Sequence, residues 1–337
     1  MLSLIHFIGF FLLTFIITGF LFYFFKKESI FLDIPNTRSS HNEVIPTAGG
    51  LSIVFSFVVL ITLMLLYELP NQIYFLLLFS CVSISVLSFI DDFLNLSAKI
   101  RIIFQFLITL ICIFSLDYFF GVISQIEGVY KLYPLLISLI LLLYLVWMTN
   151  LYNFMDGING IAASQSIVTF FALSYFVYNL NFDLFFSLNL GLAFICLGFL
   201  PWNFPKARIF MGDTSACFLG LVIGILSIIG HSLDIRIFWC YFIMMSFFIY
   251  DATFTLIYRL VRKEKLYEAH KEHLYQLISS TIRSHTKVTL IAFIYNVTWL
   301  FPICIFYFFN LLPLSVALLC SLAPIMITFI YTRKFIY

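Results

Sequence analysis

Acidic, amide and imidazole side chains gather in a few short stretches of this chain. Asp91 and Asp92 are adjacent, directly after an apolar run. Two carboxylates at the rim of a hydrocarbon layer are unfavourable unless a cation or a basic partner offsets them. Lys99 and Arg101 are the basic candidates, and Mg²⁺, a hard cation suited to aspartate oxygens, is the favoured alternative. Asn150, Asn153 and Asp156 recur every third residue before Gly157, Ile158, Asn159 and Gly160. On a helix they would share one face at the end of a span, with more polar groups than a single cap needs. Asp213 follows Gly212 at the start of another apolar run, in a segment that opens at Asn203 and includes Phe210. It reads as a helix N-cap or as a metal ligand, and its placement with the other acids favours the ligand. Gly49-Gly50 enters a helix, where backbone N–H groups can approach an anion, although such a pair also simply marks a loop. His270 and His273, beside Tyr275 and Gln276, point to anion contact.

The rest of the chain says what must position these groups. Of its 337 residues, 63% are hydrophobic and only 10% charged, with a mean hydropathy of +1.09. Soluble domains carry about 25% charged residues, so a soluble enzyme, a disordered chain, a nucleic-acid binder and a secreted disulfide scaffold are all excluded. Apolar runs of spanning length fall at 4–25, 49–68, 72–90, 102–120, 133–150, 161–178, 184–200, 215–231, 237–256, 288–309 and 311–331. The fold expected is all-α, a polytopic membrane protein of about eleven transmembrane helices, forming a single domain over 1–337.

With the N-terminus outside and the C-terminus cytoplasmic, only Lys131 and Arg236 of the 18 lysines and arginines face outward. That asymmetry follows the positive-inside rule. The segments 26–48, 91–101, 150–160, 201–214 and 257–287 then share the cytoplasmic side. The seven cysteines all lie within apolar runs and read as small packing residues. Asp251 lies inside a span, a functional candidate by default, with pairing to Arg259 two turns on as an equal alternative. Carboxylates, cations and amides converging at one membrane surface fit metal-assisted transfer of a phosphorylated group between soluble and lipid partners. This physical reading does not name the donor.

The same segments resemble the polyprenyl-phosphate N-acetylhexosamine-1-phosphate transferases, glycosyltransferase family 4. The likeness runs in order through Asp33 to His41, the Asp91-Asp92 pair, Asn150 to Gly157, Asn203 to Asp213 and the histidine segment. It implies a UDP-N-acetylhexosamine donor, undecaprenyl phosphate as acceptor, release of UMP, and Mg²⁺ as cofactor with Mn²⁺ as an alternative. It also implies residence in the bacterial inner membrane, with a homodimer left open. By this resemblance Asp213 and Asp156 match metal-site acids, and Asp91, Asp92, Asp156 and His273 form the catalytic set. Asn36, Arg38, Gly49, Gly50, Asn153, Gly157, Ile158, Asn159, Asn203, Phe210 and His270 match substrate-binding positions, with Phe210 suited to stacking on uracil.

Two departures stand out. Asn159 occupies a position where the family often has an acid; an amide can still pair with uracil. The stretch His273-Leu274-Tyr275-Gln276 differs from the histidine clusters of the peptidoglycan and GlcNAc branches. It resembles the branch that initiates O-antigen or related surface glycans, some with a 6-deoxy sugar. A transporter or flippase of a lipid-linked sugar is the competing reading, motivated by the many helices and Asp251; the absence of an internal repeat and the acids at one rim weigh against it.

Overall fold

The computed structural model describes residues 2–35, 43–67, 72–94, 96–130, 133–265 and 270–336. Its helices are α1 (Leu4–Glu28), α2 (Leu51–Tyr67), α3 (Gln72–Leu94), α4 (Ala98–Phe120), α5 (Val122–Tyr130), α6 (Pro134–Phe154), α7 (Ile161–Asn179) and α8 (Asp183–Asn203). They continue with α9 (Asp213–Leu233), α10 (Ile235–Met244), α11 (Ser246–Val261), α12 (Leu274–Ile282), α13 (His285–Tyr295), α14 (Phe301–Phe308) and α15 (Leu314–Ile336). A π-helical turn, Asn296–Leu300, joins α13 to α14. Each of the eleven apolar runs falls on a helix or on helices joined end to end.

Nine of the described helices are long and apolar enough to cross a membrane, and the pair α10–α11, bent by 64°, makes a tenth. The eleventh run is α2, which has 17 residues. At 1.5 Å per residue it reaches roughly 25 Å, short of a hydrocarbon core of about 30 Å. Large apolar side chains stand exposed along α1, α4 and α15, whereas α7 and α9 are enclosed by their neighbours. This is the arrangement of a multi-pass membrane bundle. One departure from all-α is a two-stranded antiparallel hairpin, β1 (Leu32–Asp33) with β2 (Ile45–Pro46), in the first polar segment.

Two devices set how the helices meet. Small residues let backbones approach: a Cβ at Gly220 of α9 would collide with the Met148 carbonyl oxygen and lie 2.8 Å from the Tyr152 Cβ of α6. Buried polar side chains join helices where no water can reach them. The Thr14 hydroxyl donates to Ser56 Oγ at 2.8 Å, Thr18 and Ser52 share a bond of 2.7 Å, and Tyr144 and Ser227 one of 2.8 Å. At the α10–α11 bend, Gln165 Nε2 donates to the Met244 carbonyl at 2.8 Å, and Asn296 Nδ2 donates to Gln165 Oε1 at 2.9 Å. A break in a spanning helix persists only when its freed backbone groups find such partners.

Gly220→Leu is expected to lower the thermal unfolding midpoint in detergent, by an overpacking penalty of about 1–3 kcal/mol. Gly9→Leu, at a position with open space around it, should leave the midpoint unchanged when both are followed by tryptophan fluorescence.

Candidate functional site

At one end of the bundle a cavity of about 1330 Å³ is walled by residues from four of the five polar segments. Asn153, Asp156, Gly157, Ile158, Asn159, Asn203, Phe210 and Asp213 all line it. Asn153 stands at the end of α6 and Asp213 opens α9, and the Asn153 amide donates to Asp213 Oδ2 at 3.1 Å. The remaining segment reaches the same place through Arg101, which holds Asp91 at 2.8 Å and lies 4.0 Å from Asp213. Thr214 donates to Asp92 Oδ2 at 3.3 Å. Arg101, the basic candidate set against the favoured Mg²⁺ reading of the Asp91-Asp92 pair, is thus paired with Asp91 and bridges towards Asp213.

Asp156 lies just beyond α6, half-buried. Burial first, and then the Asp213 carboxylate, push its carboxyl well above the ordinary carboxylate range. Two close carboxylates in a desolvated site favour a shared proton or a cation. Among the described residues no three histidine, cysteine, aspartate or glutamate side chains converge to ligate a metal by themselves. Asp156 and Asp213 supply oxygen donors of the sort that hold Mg²⁺, which usually takes one or two carboxylates and completes its shell with water and substrate phosphate.

Backbone hydrogen bonds knit the first and fourth polar segments together. Phe210 N donates to the Pro46 carbonyl at 2.8 Å, Gly49 N to the Phe210 carbonyl at 2.9 Å, and Gly50 N to the Met211 carbonyl at 3.0 Å. This corrects the expectation for Gly49 and Gly50: their N–H groups already have acceptors and are not presented to an anion. Their role is close approach, since a Cβ on Gly50 would collide with Ser215 and lie 2.8 Å from the Met211 carbonyl oxygen. Asn203 is buried and likewise engaged, accepting from Gly160 N at 2.8 Å and donating to the Ile209 carbonyl at 2.9 Å.

Asn159 sits at a junction of three polar segments. Its Nδ2 donates to the Pro205 carbonyl at 3.2 Å, its Oδ1 lies 3.3 Å from His285 Nδ1, and its own carbonyl accepts from Thr289 at 2.7 Å. Of the three-residue repeat, Asn150 turns away from the cavity and pairs with Gln105, its Nδ2 donating to Gln105 Oε1 at 2.7 Å. A repeat of three drifts around a helix of 3.6 residues per turn, and α6 ends before Asp156, so one face does not hold all three.

His270 and His273 do not line the cavity. His273 is buried against Phe154 and Tyr275, with Nδ1 3.5 Å from Asp251. Burial, then His273 and Arg259, lower the His270 imidazole to about 4, so it is neutral at pH 7 and offers no charge to an anion. Asp251 accepts from Leu274 N at 2.7 Å and Tyr275 N at 3.0 Å, capping the start of α12. Arg259 instead meets Glu272 at 3.2 Å and Glu264 at 3.4 Å. Asn36 and Arg38 lie outside the described residues.

The fifth segment brings Gln276, noted beside the histidines, to the cavity, and adds what motif reading missed: Lys271, Ser279, Ser280, Arg283, Ser284, His285 and Thr286 also line it. The signal was the polar run Ser279 to Lys287, interrupted by Ile282 alone, between two apolar stretches.

Known proteins resemble this chain in sequence. The chain is 29% identical over 278 residues to a "Probable undecaprenyl-phosphate N-acetylglucosaminyl 1-phosphate transferase" of Bacillus subtilis, covering 79% of this chain and 76% of the relative. It is 27% identical to the "Undecaprenyl-phosphate alpha-N-acetylglucosaminyl 1-phosphate transferase" of Thermotoga maritima over 84% of each protein. A "Phospho-N-acetylmuramoyl-pentapeptide-transferase" of Wolbachia pipientis wMel is 31% identical over 58% of this chain and 63% of its own length. The profile of glycosyl transferase family 4 matches residues 74–231. That stretch begins in α3 and ends in α9, so it carries Asp91, Asp92, Asp156 and Asp213 together, and the profile and the relatives point to the same family.

Proposed function

We propose that this protein transfers an N-acetylhexosamine-1-phosphate from a UDP-sugar to undecaprenyl phosphate, on the cytoplasmic side of a bacterial inner membrane. The product would be a first lipid-linked intermediate of O-antigen or related envelope glycan synthesis. The observation that carries the reading is the convergence of Asp156, Asp213 and the Arg101–Asp91 pair at one end of an apolar bundle. The relatives' names supply the sugar-phosphate and lipid classes. The competing transporter reading loses the support of Asp251, which is engaged as the cap of α12.

In this reaction an oxygen of the acceptor phosphate attacks the sugar-bearing β-phosphorus of the donor. The bond from that phosphorus to the bridging oxygen breaks, and UMP leaves with the electron pair. A phosphate monoester is largely ionised near neutral pH, so positioning outweighs proton removal. Arg101 places a fixed positive charge between Asp91 and Asp213, where anionic groups gather. Asn153 fixes the orientation of Asp213. Mg²⁺, or Mn²⁺ in its place, held by Asp213 and Asp156, would neutralise phosphate oxygens and stabilise the leaving phosphate. Phe210 in the cavity wall offers a ring face for uracil.

The test is UMP release by detergent-purified protein given undecaprenyl phosphate, Mg²⁺ and a panel of UDP-N-acetylhexosamines, including 6-deoxy sugars. Folded protein that releases no UMP from any donor refutes the proposal. Asp213→Asn and Asp156→Asn should each lower kcat by about 10² or more, and EDTA should abolish turnover until Mg²⁺ or Mn²⁺ is restored. A rate unchanged by both substitutions and by EDTA removes the metal role.

Asn159→Asp removes the donor to the Pro205 carbonyl. A lost hydrogen bond is worth about 0.5–1.5 kcal/mol, so the KM for the UDP-sugar should rise by roughly 2- to 13-fold. Steady-state kinetics with the preferred donor would show it; an unchanged KM would mean the junction does not shape the cavity.

A further inference from the structure

A second cavity, of about 600 Å³, lies beside the first at the same end of the bundle. Its walls are largely apolar, with Phe22 of α1 and Pro201 and Phe204 at the end of α8. Its cations are Lys26 in the last turn of α1, with Lys206 and Arg208 just beyond α8. Lys206 is paired with Glu43 at 2.7 Å. The Lys26 and Arg208 side chains are exposed, and each lies over an aromatic face. Lys26 lies 5.6 Å from the Phe22 ring and Arg208 5.7 Å from the Trp202 ring. Two cations at the ends of spanning helices, beside an apolar groove, complement an anion that carries its own hydrocarbon.

Two kinds of lipid phosphate meet that description, and the lining separates them. Glu43 and Lys206 line both cavities, so their ion pair stands at the boundary between them. None of Asp91, Asp92, Asp156 and Asp213 lines the second cavity. A phosphate that reacts must reach those acids, and one seated between Lys26 and Arg208 does not. We propose that this groove binds an anionic phospholipid of the bilayer, its headgroup phosphate between Lys26 and Arg208 and its acyl chain along Phe22, Pro201 and Phe204. This assignment does not depend on the transfer reaction, and its test reads lipid binding rather than turnover.

Native mass spectrometry of detergent-purified protein, titrated with phosphatidylglycerol or phosphatidylcholine, reads the groove directly. Lys26→Gln/Arg208→Gln should weaken phosphatidylglycerol binding about tenfold or more and leave phosphatidylcholine binding unchanged. The control Lys263→Gln/Lys334→Gln, at two exposed basic positions outside the groove, should bind as the unaltered protein does. If the first pair fails to fold, Lys26→Gln and Arg208→Gln made singly should each show a smaller loss. Equal weakening in the control pair would reduce the effect to general attraction by a basic surface and overturn the proposal. So would the absence of any phosphatidylglycerol preference. Displacement of phosphatidylglycerol by equimolar undecaprenyl phosphate, lost in Lys26→Gln/Arg208→Gln, would assign the groove to the acceptor lipid instead.

Discussion

The polar end of this molecule depends on how closely α6 and α9 approach. Asn153 ends one helix and Asp213 begins the other, and their 3.1 Å hydrogen bond exists only because the two backbones run nearly in contact at Gly220 and Met148. In a bilayer the hydrophobic effect does not press apolar helices together, so small residues and buried polar pairs must set the spacing. The Tyr144–Ser227 bond ties the same two helices farther along. Spacing fixed inside the bundle thus becomes the spacing of an amide and a carboxylate at its end. Arg101 on α4 then gathers Asp91 of α3 into the same cluster, so four helices contribute to one small electrostatic unit.

Segments outside the helices are held by a different means. The first and fourth join by backbone hydrogen bonds among Pro46, Gly49, Gly50, Phe210 and Met211, and Asn159 links the third to the fourth and fifth. The backbone bonds of the first pair use main-chain groups rather than side chains, and for that reason a motif of residue types cannot show them. Gly49 and Gly50 illustrate the difference. Their composition reads as an anion cradle, yet their amides complete a clasp between two segments.

Much of the fold was legible because hydropathy and span length are properties of the chain alone. All eleven apolar runs became helices, and the one that falls short, α2, does so by a few residues, which a bilayer can accommodate at a modest energy cost. Eight of the expected site residues line one cavity, since acids and amides are too unfavourable at a membrane rim to stand there without a role. What was not legible depends on partners distant in sequence. Asn150 kept the spacing of its repeat but found Gln105, 45 residues away. The cavity wall from Ser279 to Thr286 is polar but carries no acid or repeated motif, and only the packing of α12 and α13 brings it to the site.

The charged residues packed around the fifth segment carry the same lesson further. Arg259 and Arg333 follow the positive-inside pattern, but both are buried on Glu272, at 3.2 Å each. Breaking a buried pair by removing one partner is strongly destabilising, whereas the intact pair adds little net stability. Its use here is geometric, because Glu272 immediately precedes His273 and the start of α12. Asp251 caps that helix from α11 while the two arginines hold the residue before it. α12 in turn carries Gln276, Ser279 and Ser280 into the cavity wall. An aspartate inside a span, which on sequence alone suggests transport, is therefore part of the frame that shapes one side of the candidate site.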